Sequence, residues 1–334
     1  MDLKKKILQT PTAKKLLSEY ELNLLTKNNI ETLRDFHDAE DQKLHKLLGI
    51  KVESVLEFKK ELDTFVETVN ELDFGTGIKI LDKFLDSIAQ PFRRGRVWEV
   101  CGQTGVGKTQ LMYTLALNFV CKHKWQVLFV DTKQDFSTKR IQDMLLERKV
   151  DQETSEKAMA DIQVVEVLTS EELIEILQAF DQQMTDDVQA ALKTKVVVVD
   201  SLAACFGDHR GMEMRRTRDS LLTEVACRVR KLAVRGVAFV IGNISFSQDS
   251  KIICDNDGLE DGNSDGSTRQ PNKPMLGSYW SSVCTLRLSL ELPESTNCGD
   301  SCEDDGLRMV NVMTNTYGPA GDNCLLQITD AGLV

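Results

Sequence analysis

The sequence predicts an α/β fold, in which a mostly parallel central sheet covered by helices follows a small all-helical N-terminal domain. Short apolar runs alternate with helical segments over residues 71–334, and runs that are apolar at every position are typical of parallel strands buried on both faces. A glycine-rich turn joins one such run to a helix, as in an open α/β sheet. Residues 1–70 have helical periodicity alone. We therefore expect two domains, 1–70 and 71–334.

The N-terminal domain is predicted to be a packing or docking module. Its apolar residues recur at steps of three and four, which places them on one face of a helix: Val55, Phe58, Leu62, Val66 and Val69. Charged residues fill the other faces, and Gly49 marks a turn just before this helix.

Near the start of the second domain, at residues 73–77, two glycines mark a turn and a change of period. Residues 97–101 are strand-like, and apolar runs that predict buried strands follow at 127–130, 164–167, 196–199 and 237–241. A helix is expected over 108–120. The last β-rich segments, 285–290, 307–312 and 324–328, have less helix between them. They are predicted to extend the sheet with antiparallel strands.

The charge of the chain limits what it can bind by itself. Lysine and arginine total 41 against 52 aspartates and glutamates, a net charge of −11. Proteins that hold nucleic-acid backbones over a broad face are usually basic. Any nucleic-acid contact must therefore be local or shared with a partner. No stretch approaches the roughly 20 apolar residues of a membrane helix, so no membrane association is expected.

Residues 102–109 fit the phosphate-binding pattern G-x-x-x-x-G-K-[S/T] at every fixed position. Glycines let backbone N–H groups point at phosphates, and the helix that follows directs its positive dipole end to the same anion. Lys108 would neutralise the β- and γ-phosphates and Thr109 would bind Mg²⁺. The motif predicts ATP and Mg²⁺ as cofactors, with these nucleotide contacts: Gly102, Gln103, Thr104, Gly105, Val106, Gly107, Lys108 and Thr109.

Asp200 is the predicted partner of Thr109 at the metal. It follows the apolar run 196–199, and an aspartate at the carboxyl end of a buried strand is where P-loop proteins order the water shell of Mg²⁺. Taken alone, such an aspartate is also a common cap of a strand-to-helix turn.

These motifs, together with four further segments, resemble the RecA-type recombinases, and most of all the D-type eukaryotic recombinase paralogues. Residues 76–83 are similar to the family's TG-x-x-x-LD approach to the phosphate loop, and Gln110 to the glutamine after it. Residues 127–132 resemble its next strand, and residues 280–283 with Arg287 its closing segment.

The resemblance implies a RecA-like P-loop ATPase core, a nuclear protein, and a role in homologous-recombination repair of DNA beside related subunits. It also implies that Arg140 lies near adenine, although an exposed helix arginine is the commoner role. Residues 317–319 fall where the family caps a neighbour's ATP, and a turn between strands explains them equally well.

Two residues depart from the pattern of the active enzymes in the family. Lys133 stands where they place a water-orienting glutamate, and a protonated lysine cannot accept a proton. The catalytic residue is therefore unknown, with Asp135 a weak substitute. Ile244 follows Asn243 where the family tends to have a polar residue that senses the γ-phosphate. The sequence therefore predicts slow ATP hydrolysis.

The segments that match the family's two DNA loops differ in charge. The first contains the arginines expected to contact DNA, Arg210, Arg215, Arg216 and Arg218, but acidic residues lie among them, so a solvated surface is an equal alternative. The second, 249–273, has six acidic and three basic residues, which suits a DNA groove poorly.

The sequence as a whole predicts an ATP-binding recombinase paralogue in a hetero-oligomer with other paralogues, which shares single-stranded or branched DNA with its partners and assists the main recombinase. Two alternatives stay open. One is a self-sufficient strand-exchange ATPase that forms its own filament, against which Lys133, Ile244 and the acidic second loop argue. The other is a nucleotide-gated scaffold without direct DNA contact.

Overall fold

The computed structural model describes residues 18–28, 30, 36, 39–60, 75–88, 92–186, 193–209, 211, 213–246, 273–293 and 306–334. The chain divides into two compact units, Met1–Asp73 and Phe74–Val334. We refer to Met1–Asp73 as unit 1 and to Phe74–Val334 as unit 2.

The described part of unit 1 is helical. Helix α1 spans Glu19–Lys27 and begins with a capping box between Ser18 and Glu21. Helix α2 spans Asp41–Leu48 and ends at a left-handed glycine, and residues 52–60 are also helical. Val55 and Phe58 of the predicted apolar face are buried. Leu62, Val66 and Val69 lie outside the described residues.

In the described residues of unit 2 a ten-stranded sheet forms the centre, in the order β10-β9-β8-β7-β1-β5-β4-β2-β3, with β6 paired to β5. Its strands are β1 Val97–Gly102, β2 Gln126–Asp131, β3 Ile162–Glu166, β4 Thr194–Asp200, β5 Ala238–Phe246, β6 Lys273–Pro274, β7 Leu286–Glu291, β8 Leu307–Asn315, β9 Asn323–Thr329 and β10 Gly332–Leu333. The block from β7 to β3 is parallel, and β7, β8, β9 and β10 pair antiparallel. The predicted parallel sheet and its antiparallel extension are confirmed.

Helices cover both faces of the sheet: α3 Lys79–Ser87, α4 Lys108–His123, α5 Thr138–Glu147, α6 Gln152–Asp161, α7 Ser170–Asp186, α8 Arg215–Val234, the short α9 Gly277–Ser281 and a 3-10 segment Leu202–His209. Alternate residues of β4 enter opposite cores, Val196 and Val198 on the side of α4, and Val197 and Val199 on the side of α7 and α8. Among the described helices, none is long and apolar enough to cross a membrane.

Strand β3 corrects one prediction. The run 164–167 was expected to be buried on both faces, but β3 pairs only with β2 in the described part of the sheet and lies at its edge. Val164 remains 39% exposed, and Glu166, which interrupts the run, is also exposed.

Candidate nucleotide-binding site

The phosphate loop connects the end of β1 to the start of α4, as its motif requires. Gly105 and Gly107 have φ angles of 82° and 101°, in the left-handed region that favours glycine. A Cβ at Gly107 would lie 2.6 Å from Cδ1 of Ile328, and one at Gly102 would lie 2.5 Å from the carbonyl oxygen of Leu290. The loop therefore rests against the antiparallel extension and has no room for side chains at these points.

Two buried cations hold the loop. The Lys108 Nζ donates hydrogen bonds of 2.8 Å to the carbonyl oxygens of Gly102 and Gln103. Burial lowers the pKa of Lys108, while the negative charge of Asp200 opposes this shift. Arg308, on β8 and 4% exposed, donates from Nε to the carbonyl oxygen of Val106 at 2.8 Å. Arg308 was not among the predicted site residues, although an arginine between apolar strand residues is a signal of a buried polar contact.

Thr109 and Asp200 come together as expected of a metal site. The Thr109 hydroxyl donates to Oδ2 of Asp200 at 2.6 Å. Asp200 is 1% exposed, and its buried Oδ1 has no hydrogen-bond partner among the described residues. A buried carboxylate oxygen needs a partner, and Mg²⁺ is usually bound through one or two protein groups together with phosphate oxygens and water. The two residues therefore fit an Mg²⁺ ion that arrives with a nucleotide.

Three hydrogen bonds of Thr132 join the strand ends beside Asp200. The Thr132 hydroxyl donates to the carbonyl oxygen of Ser201 at 2.8 Å and accepts from the Ser201 N–H at 2.7 Å. The Thr132 N–H also donates to the Asp200 carbonyl oxygen at 3.0 Å. These hydrogen bonds connect the carboxyl ends of β2 and β4, so Asp200 has a fixed position relative to the loop that follows β2.

Lys133 lies on that loop and points into the site. Its Nζ is 3.0 Å from Oγ1 of Thr109, 3.1 Å from Oδ2 of Asp200 and 3.2 Å from Oδ2 of Asp135. Burial lowers the pKa of Lys133, but the charges and hydrogen bonds of the two aspartates outweigh it and hold the pKa above its usual value. Lys133 is therefore an ammonium ion at neutral pH and cannot act as a general base.

Arg140 lines a pocket beside the phosphate loop. Its Nε donates to Oε1 of Gln110 at 2.9 Å, and its terminal nitrogens donate to the carbonyl oxygens of Thr329 and Asp330. These residues and Ile328 line a shallow depression of about 510 Å³ that is open to solvent over most of its extent. Gln110 directly follows Thr109, so the pocket adjoins the phosphate loop. Arg140 is thus tied into this wall of the site.

Asn243 is part of a buried polar network. Strand β5 continues past the predicted end at 241 to Phe246, so Asn243 lies inside a strand. Its Nδ2 donates to Oε1 of Glu99 at 2.7 Å and to the Met275 carbonyl oxygen at 2.8 Å, and its Oδ1 accepts from the Ile244 N–H. Glu99, which is fully buried, also pairs with Arg287.

The described arginines of the first candidate DNA loop lie at the start of α8. Arg215 and Arg216 are exposed and Arg218 is half-buried, and Nε of Arg215 lies 3.9 Å from Oδ2 of Asp219. Arg210 and residues 247–272 of the second candidate loop lie outside the described residues. The three described positions therefore present positive charge on a helix that also carries an acid.

Tyr317 lies in the turn between β8 and β9, and the Arg96 guanidinium stacks over its ring at 4.0 Å from the centroid. Arg96 precedes the first residue of β1, whereas the phosphate loop begins at its last residue, Gly102. At about 3.3 Å per residue, the six-residue strand β1 separates the two by roughly 20 Å. The turn at 317–319 is therefore far from the nucleotide site of its own chain.

Comparison with known proteins agrees with these features. A profile of the Rad51 family matches residues 68–297. The chain is 26% identical over 296 residues to "DNA repair protein RAD51 homolog 4" of Bos taurus, which covers 84% of each chain. It is 28% identical over 295 residues to the protein of that name from Mus musculus, which covers 83% of this chain and 82% of the relative. Because the profile covers more than half of its length, the chain belongs to the Rad51 family of RecA-type recombinases.

Proposed function

We propose that this chain is a recombinase paralogue of homologous-recombination DNA repair, which binds ATP with Mg²⁺, hydrolyses it weakly and acts in the nucleus within a hetero-oligomer of related chains. The observation that carries the proposal is the hydrogen bond between Thr109, the last residue of the phosphate loop, and Asp200. The second carboxylate oxygen of Asp200 is buried and is left for the water shell of a metal ion. The repair role is supported by the names of the two relatives, both DNA repair proteins.

The nucleotide would lie along the first turn of α4. The N–H groups of residues 102–109 and the dipole of α4 suit the phosphates, and Lys108 would exchange its two carbonyl contacts for phosphate oxygens. Thr109 and Asp200 would bind Mg²⁺, which neutralises charge on the phosphates. The adenine base would lie beside Arg140, in the shallow depression that adjoins the phosphate loop.

Weak hydrolysis follows from the groups around the expected attack position. Lys133 is charged, and Asp135, the nearest substitute for an acid, is engaged in an ion pair with it. Neither group is poised to orient water as a general base. The chain is therefore proposed to use ATP chiefly as a ligand, and a neighbouring chain would supply what is missing for faster turnover.

Assembly through the edge of the sheet is supported by β3. The outer side of an edge strand offers unpaired backbone groups to another chain, and in the described residues no strand pairs there. Beside it lies an apolar pocket of about 120 Å³ that could hold a side chain of that partner, lined by Phe136, Thr138, Ile141, Met159, Ile162 and Val164. We propose that a related chain adds a strand here and that unit 1 docks another partner.

DNA would be shared with the partners through the first candidate loop. Arg215 and Arg216 are exposed and suited to phosphates, whereas the net charge of −11 argues against a DNA groove formed by this chain alone. The rival proposal, a nucleotide-gated scaffold without DNA contact, is favoured by the acid that Arg215 already faces. The dependence of DNA binding on salt separates the two.

The nucleotide proposal is tested with Lys108→Ala. Equilibrium titration with a fluorescent ATP analogue in Mg²⁺ should show an affinity at least about tenfold lower, because a charge-assisted contact is lost. Lys157→Ala, at an exposed lysine of α6, is the matched control and should bind as the wild type does. Equal affinity of wild type and Lys108→Ala would show that the phosphates lie elsewhere.

A further inference from the structure

Lys133 makes contact with both groups that are assigned to the metal. Its Nζ lies 3.0 Å from Oγ1 of Thr109 and 3.1 Å from Oδ2 of Asp200, the oxygen that also accepts the Thr109 hydrogen bond. A third contact, 3.2 Å to Asp135, completes its surroundings. The ammonium ion thus stands at Oγ1 of Thr109, an expected Mg²⁺ ligand, and at the carboxylate oxygen of Asp200 next to Oδ1, the oxygen left for the metal shell.

A buried aspartate directs Lys133 to this place. Asp131, which is 2% exposed, accepts hydrogen bonds from the N–H groups of Lys133 at 3.0 Å and Phe136 at 2.8 Å. These two bonds tie both ends of the short loop 133–136 to the end of β2. The side chain therefore starts from a fixed backbone, and holding its ammonium in the site costs less conformational freedom than it would from a mobile surface loop.

The charge balance of the site depends on this contact. Asp200 is buried and carries a negative charge that would face the phosphates of a nucleotide directly. Lys108, the other cation nearby, is hydrogen-bonded to two loop carbonyls. Lys133 is the cation paired with Asp200 among the described residues.

We propose that Lys133 is a resident counter-ion of the nucleotide site, which competes with Mg²⁺ for Asp200 and Thr109 and supports ATP binding when Mg²⁺ is absent. The inference rests on the proposed nucleotide site and specifies its metal dependence. Lys133 has two effects of opposite sign. It screens Asp200 from the phosphates without metal, and it must leave Asp200 and Thr109 when Mg²⁺ binds.

The test compares ATP binding with and without metal, so its readout is affinity and involves no turnover. The Kd of a fluorescent ATP analogue is measured by anisotropy in excess Mg²⁺ and in EDTA, and the ratio of the EDTA value to the Mg²⁺ value is the quantity compared. The proteins are wild type, Lys133→Met, Lys133→Arg and the exposed-lysine control Lys157→Met. Lys133→Met keeps an unbranched side chain that reaches as far as Cε and removes the ammonium group.

Lys133→Met should raise the ratio by about tenfold or more, because the charged contact with Asp200 is lost in EDTA and the competitor of Mg²⁺ is removed. Half-saturation should also occur at a lower Mg²⁺ concentration. Lys133→Arg, which retains the charge, should keep most of the wild-type ratio, and Lys157→Met should not change it.

The outcomes distinguish this inference from the proposed function. If the wild type binds the analogue and Lys133→Met leaves the ratio and the Mg²⁺ midpoint unchanged, the counter-ion role is wrong and the nucleotide site stands. If Lys133→Arg behaves as Lys133→Met does, the effect does not depend on charge and the inference also fails. If the wild type binds no nucleotide in either buffer, the proposed function and this inference are both overturned.

Discussion

Replacing Arg287 by methionine tests whether the polar network below the phosphate loop stabilises unit 2. Glu99 is fully buried on β1 and accepts hydrogen bonds from Arg287 and from Asn243. Burial opposes the charge of Arg287, but Glu99 outweighs it and raises the pKa of the guanidinium. Methionine retains much of the apolar stem of arginine and removes its charge, so Glu99 would remain buried without its cation.

Breaking one side of a buried ion pair costs about 3–5 kcal/mol, because the remaining charge is uncompensated. That is a large part of the ~5–15 kcal/mol that stabilises a typical domain. Adding Glu99→Gln to Arg287→Met removes the second charge and leaves an amide oxygen to accept from Asn243. Because replacing both members of a buried pair is often nearly neutral, the double variant should recover at least about 2 kcal/mol.

Urea unfolding followed by tryptophan fluorescence measures this free energy. The three tryptophans, Trp98, Trp125 and Trp280, all lie in unit 2, so the signal reports on that unit in the full chain. With a slope of about 3 kcal/mol per molar urea, Arg287→Met should lower the midpoint by about 1 M or more. A decrease in the free energy of unfolding below about 1 kcal/mol for Arg287→Met would refute the reasoning. So would a double variant whose decrease equals the sum of the decreases for Arg287→Met and Glu99→Gln alone.

Four further perturbations test the roles of individual surfaces. Lys133→Glu should speed single-turnover ATP hydrolysis, with ~10²–10⁴-fold as the upper guide for a general base; an unchanged rate would mean that the catalytic position lies elsewhere. Deleting residues 1–70 should preserve ATP affinity and remove at least one co-purifying partner, and retention of every partner would contradict the docking role. Val164→Asp should remove a partner without changing ATP affinity, because a charge on an edge strand opposes strand addition; an intact complex would exclude β3 as the interface. Combined Arg215→Ala and Arg216→Ala should flatten the salt dependence of single-stranded DNA binding by up to about 1.4 in log–log slope, whereas an equal slope would indicate a solvated surface.

The architecture of unit 2 was predictable because buried strands leave a local signal. Residues 196–199 are apolar at every position, and their side chains alternate between two cores, as a parallel sheet with both faces covered requires. The run 164–167 is also rich in valine and yet lies at the edge of the sheet, and Glu166, which interrupts it, is a local sign of that exposure. Which strand has a neighbour on each side depends on contacts between distant segments, and an apolar run contains no such information.

The parts of the candidate site that lie within single sequence motifs were predictable, and the contacts between separate segments were not. The motif at 102–109 and the strand-end Asp200 were identified separately, and the structure brings Thr109 and Asp200 within 2.6 Å. Lys133 was recognised only as a missing acid, because its contacts depend on how the ends of β2 and β4 are aligned. Asn243 was identified only as the residue before Ile244, and its amide contact with Glu99, on a strand 144 residues earlier in the chain, was not predicted.

Because Arg308 lies far along the chain from the phosphate loop, the ribosome synthesises the loop well before the residue that supports it. Arg308 follows Val106 by 202 residues, and Ile328, which packs on Gly107, emerges later still. At about 5–20 residues per second, a ribosome needs roughly 10–40 s to cover the first of these separations. Throughout that interval the nascent chain has the whole nucleotide motif but not the strand that supports it. The carbonyl oxygen of Val106 gains its buried partner only when the last tenth of the chain is made.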